Sequence, residues 1–210
     1  MSLGRELRHP IQNDVALTAG LTASMIAAGV REAYRLLDSI DIPLFESTRL
    51  RLADVVELAN LSSIVGNLLA VGIINSCEGV YERAGAHKYQ DLRASPGGSG
   101  VEHVEIKVSL ETNRPKGHLP KAGYYLACRY VLGDADGVYT RGARGKVVWI
   151  WELRFGQLTV QDFAVSNTEG DSGKTAVVST DGMRKLRQVY FDPAFCPAAN
   201  VERYLRDYGQ

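Results

Sequence analysis

Residues 88–110, KYQDLRASPGGSGVEHVEIKVSL, carry an aspartate, a glycine-rich gap and then two charged side chains inside an apolar run. Residues 101–110 alternate as a β-strand does, so Glu105 and Lys107 project side by side from one face. Asp91 lies 14 residues before Glu105, and the Ser, Pro and Gly residues at 95–100 allow the chain to fold Asp91 back beside Glu105. The predicted strand face comprises Val101, His103, Glu105, Lys107 and Ser109.

Two interpretations of these charges stay open at this point. A strand with one face in the core can turn charges to water and join them in a cross-strand ion pair. A metal-dependent hydrolase needs the same residue types for its chemistry.

The first 80 residues have the patterns of helices. Residues 14–37 are rich in Ala, Leu and Met and begin at a candidate N-cap, Asp14, with interruptions expected at Gly20 and Gly29. A connector follows, with Pro43 as the stop signal, and a second helical pattern covers residues 50–74. We predict a helical N-terminal region over residues 1–80.

After residue 80 the pattern changes to that of strands. Runs rich in β-branched and aromatic residues cover 101–110, 123–132, 145–155, 158–165 and 175–179. Thr180 is a candidate cap for a helix extending to Phe191, where Asp192-Pro193 ends it, and residues 199–209 form a last short helix. The order predicts an α/β or α+β fold in which residues 81–210 form a core that makes one compact domain with the helices.

Composition limits the function classes. Lys and Arg number 24 and Asp and Glu number 24, so the chain as a whole is not strongly basic. Three cysteines without a CxxC motif argue against a disulfide framework or a zinc ribbon and favour the cytoplasm. No window approaches 18 consecutive apolar residues, so no membrane span is expected.

Asp91, Glu105 and Lys107 suit the hydrolysis of a phosphodiester. Two carboxylates can hold Mg²⁺, a hard cation that prefers oxygen ligands. Such an ion polarises the phosphoryl group and lowers the pKa of bound water. A lysine on the same strand face can orient or deprotonate that water, or neutralise charge in the transition state.

The arrangement of Asp91, the gap and Glu105-Ile106-Lys107 resembles the PD-(D/E)xK nuclease signature, with Gln90 in place of the proline. That superfamily includes type II restriction endonucleases, repair nucleases and junction resolvases. The resemblance covers about 20 of the 210 residues. It implies an α/β fold with a mixed central sheet flanked by helices and a β-hairpin that carries the active site. It also implies metal ligation by Asp91 and Glu105, with Mg²⁺ as cofactor and Mn²⁺ as a substitute, and water activation by Lys107.

Many members of that superfamily add an upstream acidic or amide residue from a helix. Glu57, Asn60 and Asn67 fall within about 80° of arc on the helix over 50–74. Glu57, which we also assign to the catalytic residues, is the first candidate for this extra ligand and Asn67 the second, while Glu78 and Glu82 stay open. The same polar stripe is also what the wet face of an ordinary helix would show.

A basic segment follows the predicted catalytic strand. Residues 112–154 contain eight Lys and Arg against three acidic residues. Phosphate contacts from such side chains give affinity and position rather than sequence recognition. A solvated loop is the alternative for the residues around position 118. The predicted DNA-binding residues are Asn67, Ser109, Arg114, Lys116, His118 and Lys121.

These observations predict a Mg²⁺-dependent DNA endonuclease, with a type II restriction enzyme as the leading biological role. Cleavage of both strands of a duplex needs two active sites, so a homodimer is expected, with the N-terminal helices as the dimer face. The alternatives are a non-catalytic nucleic-acid-binding or assembly module, and a repair or junction-resolving nuclease of the same fold.

Overall fold

The computed structural model describes residues 3–12, 18–85, 90–96, 100–117, 120–166 and 175–209. Its helices are α1 Ala23–Thr48, α2 Leu52–Val55, α3 Leu58–Asn75, α4 Thr180–Lys185 and α5 Val201–Tyr208. Its strands are β1 Tyr81–Arg83, β2 Leu92–Ala94, β3 Val104–Leu110, β4 Lys116–Gly117, β5 Gly123–Gly133, β6 Val147–Leu158, β7 Phe163–Ser166, β8 Thr175–Val178 and β9 Arg187–Phe191. Short 3₁₀ turns cover Val160–Asp162 and Pro193–Phe195.

Six strands form a mixed sheet in the order β1-β2-β3-β5-β6-β9. The β3–β5 pair is parallel and the other pairs are antiparallel. The larger part of the core lies between one face of this sheet and helices α1 and α3, while α4 and α5 contribute to smaller clusters. Both faces of the central strands are therefore covered, which explains why β5 and β6 are almost continuously buried. The predicted α/β class and mixed sheet with helices are confirmed.

Helix α1 differs from its prediction at both ends. It begins after Thr22, whose hydroxyl accepts a hydrogen bond from the Met25 amide, whereas residues 14–17 of the predicted start lie outside the described residues. The prediction that Pro43 stops the helix was wrong, because Pro43 lies inside α1. Pro43 and Ser39, one turn earlier, are both exposed, so the carbonyl that loses its amide partner can be solvated. The helix ends instead at Arg49, a left-handed cap with φ of 65°.

Gly29 was predicted to interrupt the first helix, and this was also wrong. A Cβ at Gly29 would lie 2.4 Å from the Ile73 side chain, and one at Gly72 would lie 2.6 Å from the Gly29 carbonyl oxygen. The two glycines therefore allow the backbones of α1 and α3 to approach closely. Gly29 serves packing between helices rather than helix termination.

The C-terminal region contains the largest error of prediction. Helix α4 ends at Lys185, and residues Arg187–Phe191 form strand β9 instead of continuing the helix. Strand β9 pairs with β6, with Phe191 opposite Glu152, so the sheet edge supplies hydrogen bonds that local helix propensity cannot outweigh. The last predicted helix is confirmed as α5, capped by the Asn200 side chain.

A second, three-stranded sheet has the order β4-β8-β7. The predicted strand over 158–165 is divided between the end of β6, a 3₁₀ turn and β7. Strands β1, β2 and β4 were not predicted, since each has only two or three residues. A Cβ placed on Gly117 of β4 would lie 3.5 Å from the Lys107 side chain of β3, so the second sheet approaches the first at this point.

The predicted helix over 50–74 is divided into α2 and α3, with Glu57 as the N-cap of α3. Among the described residues, α3 is the one helix long and apolar enough to cross a membrane by length and composition alone. A core helix of a soluble protein passes the same test, and α3 packs against α1 and β3. The absence of a membrane span therefore stays a prediction.

Candidate active site

A short hairpin brings Asp91 and Glu105 together. Strand β2 runs antiparallel to β3 with Leu92 opposite Val104, so the next step of the same register places Asp91 opposite Glu105. The Ile106 amide donates to Asp91 Oδ2 at 2.8 Å. The backbone amide of Gln90 donates to Glu105 Oε2 at 3.0 Å. These two hydrogen bonds hold each carboxylate against the opposite strand.

Gln90 stands where the PD-(D/E)xK pattern has proline, and its backbone conformation does not suit a proline. Its φ is 77°, a left-handed conformation that proline cannot adopt because its ring fixes φ near −65°. Proline also lacks the amide hydrogen that Gln90 donates to Glu105. A non-glycine residue in this conformation costs about 1–3 kcal/mol, and such conformations concentrate at functional sites.

Glu105 and Lys107 are adjacent, as strand alternation predicted. Lys107 Nζ lies 2.5 Å from Glu105 Oε1. The Glu105 side chain is only 9% exposed and that of Lys107 is 24% exposed. A freely solvated strand face does not describe this geometry, since the charges lie in a partly enclosed place.

The Asp91 carboxyl has a pKa raised to about 6 from an ordinary 3.8. Burial is the main cause, and the negative charge of Glu105 adds to it. The hydrogen bond from the Ile106 amide and the charges of Lys107 and Arg83 oppose the rise. Two acids thus stand close enough to repel each other, which is the condition that a bound cation would relieve.

This raised pKa predicts that Asp91→Asn stabilises the metal-free protein. Between about pH 4 and pH 6 the folded state binds more protons than the unfolded state, so stability falls as pH rises and is lowest above pH 6. Removing the charge should raise the free energy of unfolding at pH 8 by about 1–3 kcal/mol, since a difference of one in pKa corresponds to about 1.4 kcal/mol. At pH 4 the variant and wild type should differ little.

Denaturation with urea in the presence of a chelator, at pH 4 and pH 8, measures this difference. Asp136→Asn, at an exposed turn, is the matched control and should change stability little at either pH. A destabilised Asp91→Asn protein at pH 8 would contradict the predicted repulsion.

Asp91, Glu105 and Lys107 line a cleft of about 690 Å³. The cleft has α3 on one side and β3, the turn after β3 and β4 on the other. A Cβ placed on Gly117 would lie 3.5 Å from Lys107 Nζ, so β4 stands directly beside the lysine. Helix α3 approaches β3 at Gly66, where an added Cβ would lie 3.1 Å from the Val108 side chain. The lining residues are Leu58, Ala59, Ser62, Ser63, Gly66, Asn67, Asp91, Glu105, Ile106, Lys107, Val108, Ser109, Leu110, Asn113, Arg114 and Lys116.

The cleft gathers most of the predicted site residues. Asp91, Glu105 and Lys107 lie in it together with four predicted DNA-binding residues, Asn67, Ser109, Arg114 and Lys116. Ser109 is buried and donates its hydroxyl to the Asn113 carbonyl at 2.7 Å, so it shapes the turn that leads to Arg114.

Other predicted residues lie elsewhere. Glu57 is exposed at the start of α3 and is not part of the cleft lining, and Lys121 is likewise exposed and outside it. Glu78 is exposed, and Glu82 lies 3.4 Å from Arg93 in an ion pair. His118 lies outside the described residues. Of the upstream candidates, Asn67 is the one that the cleft contains.

The basic segment is divided by the fold. Arg129 and Arg154 are buried beside Glu152, and Lys146 lies 3.0 Å from Asp54. Counting charges along the chain therefore overstated the positive charge available to a nucleic acid at the cleft.

Residues that the sequence did not indicate also line the cleft. Ser63 lies on the same face of α3 as Ala59 and Asn67, at intervals of four residues, and this spacing was a usable signal. No sequence signal indicated Asn113, because its position in the cleft depends on the turn after β3.

The donor set suits a hard cation with open coordination positions. Asp91 and Glu105 offer carboxylate oxygens, and the described residues contain no group of three His, Cys, Asp or Glu side chains able to hold a metal ion. Mg²⁺ is typically held by one or two carboxylates, with water and substrate phosphates as the other ligands. Two carboxylates are the kind of protein ligand that such a Mg²⁺ site uses.

Comparison of the chain with protein-family models, with curated proteins and with solved structures gives no significant match. The likeness to the PD-(D/E)xK pattern therefore stays a resemblance carried by Asp91, Glu105 and Lys107. Any assignment of function depends on the chemistry of the cleft.

Proposed function

We propose that the chain is a Mg²⁺-dependent DNA endonuclease with a restriction-endonuclease-like core. The observation that carries the proposal is the meeting of Asp91, Glu105 and Lys107 in one cleft. An aspartate from outside strand β3 is held by the Ile106 amide next to a buried glutamate and its lysine partner. A raised pKa beside a specific charge partner, in a cleft, is typical of functional sites.

Each residue would have a defined part in hydrolysis. Asp91 and Glu105 would hold Mg²⁺, and Gln90 and Ile106 amides fix the orientation of their carboxylates. When bound, this ion supplies polarisation of the phosphoryl group and a lowered pKa of water. The Lys107 ammonium can donate to the attacking water or to a phosphate oxygen and offset the negative charge that develops there.

Two cations further along the cleft can position the substrate. Arg114 and Lys116 are exposed and line the side of the cleft next to Lys107. Contacts of this kind supply the salt-dependent part of nucleic-acid affinity. A homodimer belongs to the proposal where the substrate is duplex DNA, and exposed Ile40, Leu50 and Val55 supply apolar surface in the α1–α2 region.

Cleavage of mixed DNA with and without Mg²⁺ tests the proposal. Wild type should cleave only with Mg²⁺ or Mn²⁺, and Asp91→Ala and Glu105→Ala should each lose cleavage and metal binding by calorimetry. Glu78→Ala, at an exposed acid outside the cleft, is the matched control and should cleave as wild type does.

The result also separates the alternatives. Binding of DNA without cleavage or metal uptake would establish a non-catalytic module instead. Preference for flaps or four-way junctions over plain duplex would favour a repair or junction-resolving enzyme over a restriction enzyme.

A further inference from the structure

The two sides of the cleft differ in charge. The cations among the described residues of its lining, Lys107, Arg114 and Lys116, belong to β3, the turn after it and β4. Helix α3 contributes no charged side chain to the lining. The α3 residues that line the cleft are all uncharged, and most have small side chains. They are Leu58, Ala59, Ser62, Ser63, Gly66 and Asn67.

The polar groups of α3 differ in what they can still bind. The Ser62 hydroxyl contacts the Leu58 carbonyl and the Tyr130 hydroxyl, and the Ser63 hydroxyl donates to the Ala59 carbonyl. The side-chain amide of Asn67 makes no hydrogen bond with any residue that the structure describes, and the residue is exposed. Asn67 therefore offers the helix side's available donor and acceptor pair.

The other side of the cleft, formed by β3, the turn after it and β4, carries cations that are available for binding. The Lys116 ammonium has no ion-pair partner among the described residues, and Arg114 has only a 3.5 Å contact with the Thr180 hydroxyl. Both side chains are exposed, and Lys116 is next to Gly117, which stands beside Lys107. A row of available cations on one side favours a polyanion backbone lying there.

We infer that one nucleic-acid strand lies in this cleft with its phosphates against Arg114 and Lys116 and its bases towards α3, where Asn67 reads a base edge beside the cleavage point. This inference rests on the proposed function and adds to it the orientation of the substrate and a specificity-determining residue. An asparagine amide offers one donor and one acceptor side by side, the pattern that pairs with the N6 and N7 positions of adenine. The small side chains around it leave room for a base to approach.

Metal ligation is the competing role for Asn67. An asparagine carbonyl can ligate a divalent cation, but ligation would use only the oxygen of the side-chain amide. Base reading uses both of its polar groups. The two roles differ in an observable way, because a ligand affects metal affinity without DNA and a base reader does not.

Sequencing of the ends produced from a randomised DNA pool, with Mg²⁺, measures base preference around the cut. In Asn67→Ala the preference at one position beside the cut should fall by about 5–150-fold, the factor equivalent to the loss of one base contact. In Lys116→Ala cleavage should slow equally for all sequences, and the salt dependence of cleavage at low substrate should lose about one power of salt concentration. Asn60→Ala, on the same helix but outside the cleft lining, is the matched control and should change neither.

Several outcomes overturn the inference. Asn67→Ala with unchanged base preference, or with weakened Mn²⁺ binding in the absence of DNA, would remove Asn67 from base reading. A change of base preference in Lys116→Ala would overturn the proposed orientation. In these cases Asp91-dependent cleavage persists and the proposed function stands, whereas a wild type that cleaves no nucleic acid overturns both.

Discussion

Replacing Lys107 with methionine should lower the rate of metal-dependent cleavage by about 10²–10³-fold, the usual effect of losing one charge-stabilising donor in an active site. The ammonium lies 2.5 Å from Glu105 in a partly enclosed cleft, where electrostatic contacts are less screened than in water. Methionine keeps the apolar stem, so the packing around the side chain is largely retained. Single-turnover cleavage with saturating Mg²⁺ measures the rate.

Metal binding should respond in the opposite direction. Lys107→Met removes a positive charge next to Asp91 and Glu105, so the affinity for Mn²⁺ should be unchanged or higher by calorimetry. Lys146→Met is the matched control, since Lys146 is exposed and paired with Asp54 away from this cleft, and cleavage by that variant should match wild type. A Lys107→Met protein that cleaves normally, or that no longer takes up metal, would contradict the assigned role.

The side-by-side placement of the site residues could be predicted because it depends on local geometry. Strand alternation alone places Glu105 and Lys107 on one face. Strands β2 and β3 are antiparallel and only nine residues, 95–103, separate them in sequence, which is enough to bring Asp91 back to Glu105. No long-range packing enters either step.

Errors arose where tertiary contacts reverse a local preference. Gly29 and Pro43 are both unfavourable within a helix, yet close packing against Gly72 and an exposed position, respectively, allow them in α1. Residues 187–191 have a pattern compatible with a helix, but β6 offers a strand partner. The outcomes at Gly29 and at residues 187–191 depend on a segment distant in sequence, whereas the outcome at Pro43 depends on the exposure of its turn.

The composition of the cleft was predicted only in part for a similar reason. Charge counting pointed to Arg114 and Lys116, which line the cleft together with residues of β3, but could not separate them from Arg129 and Arg154. The last two lie inside the fold, where they bind Glu152. Burial, and not the sign of the charge, decides which arginines a substrate can reach.

Those arginines belong to a buried polar network. Glu152 Oε1 accepts hydrogen bonds from Arg154 Nε at 2.8 Å, Gln188 Nε2 at 2.7 Å and the Tyr204 hydroxyl at 2.7 Å, and Oε2 accepts from Arg129 Nη1 at 3.0 Å. The Glu152 and Arg154 side chains are at most 1% exposed. One carboxylate thus joins β5, β6, β9 and α5.

Replacing Glu152 with alanine should therefore destabilise the protein by about 3–5 kcal/mol, because it leaves Arg129 and Arg154 as buried charges without their shared partner. Glu152→Gln keeps an acceptor and should fall between alanine and wild type, which preserves the test if the alanine variant does not fold. Urea denaturation measures each free energy of unfolding, and Asp181→Ala, which breaks an exposed ion pair with Arg184, should leave it nearly unchanged. An alanine variant as stable as wild type would mean that water reaches the two arginines, and the network would then contribute little to the stability of the sheet.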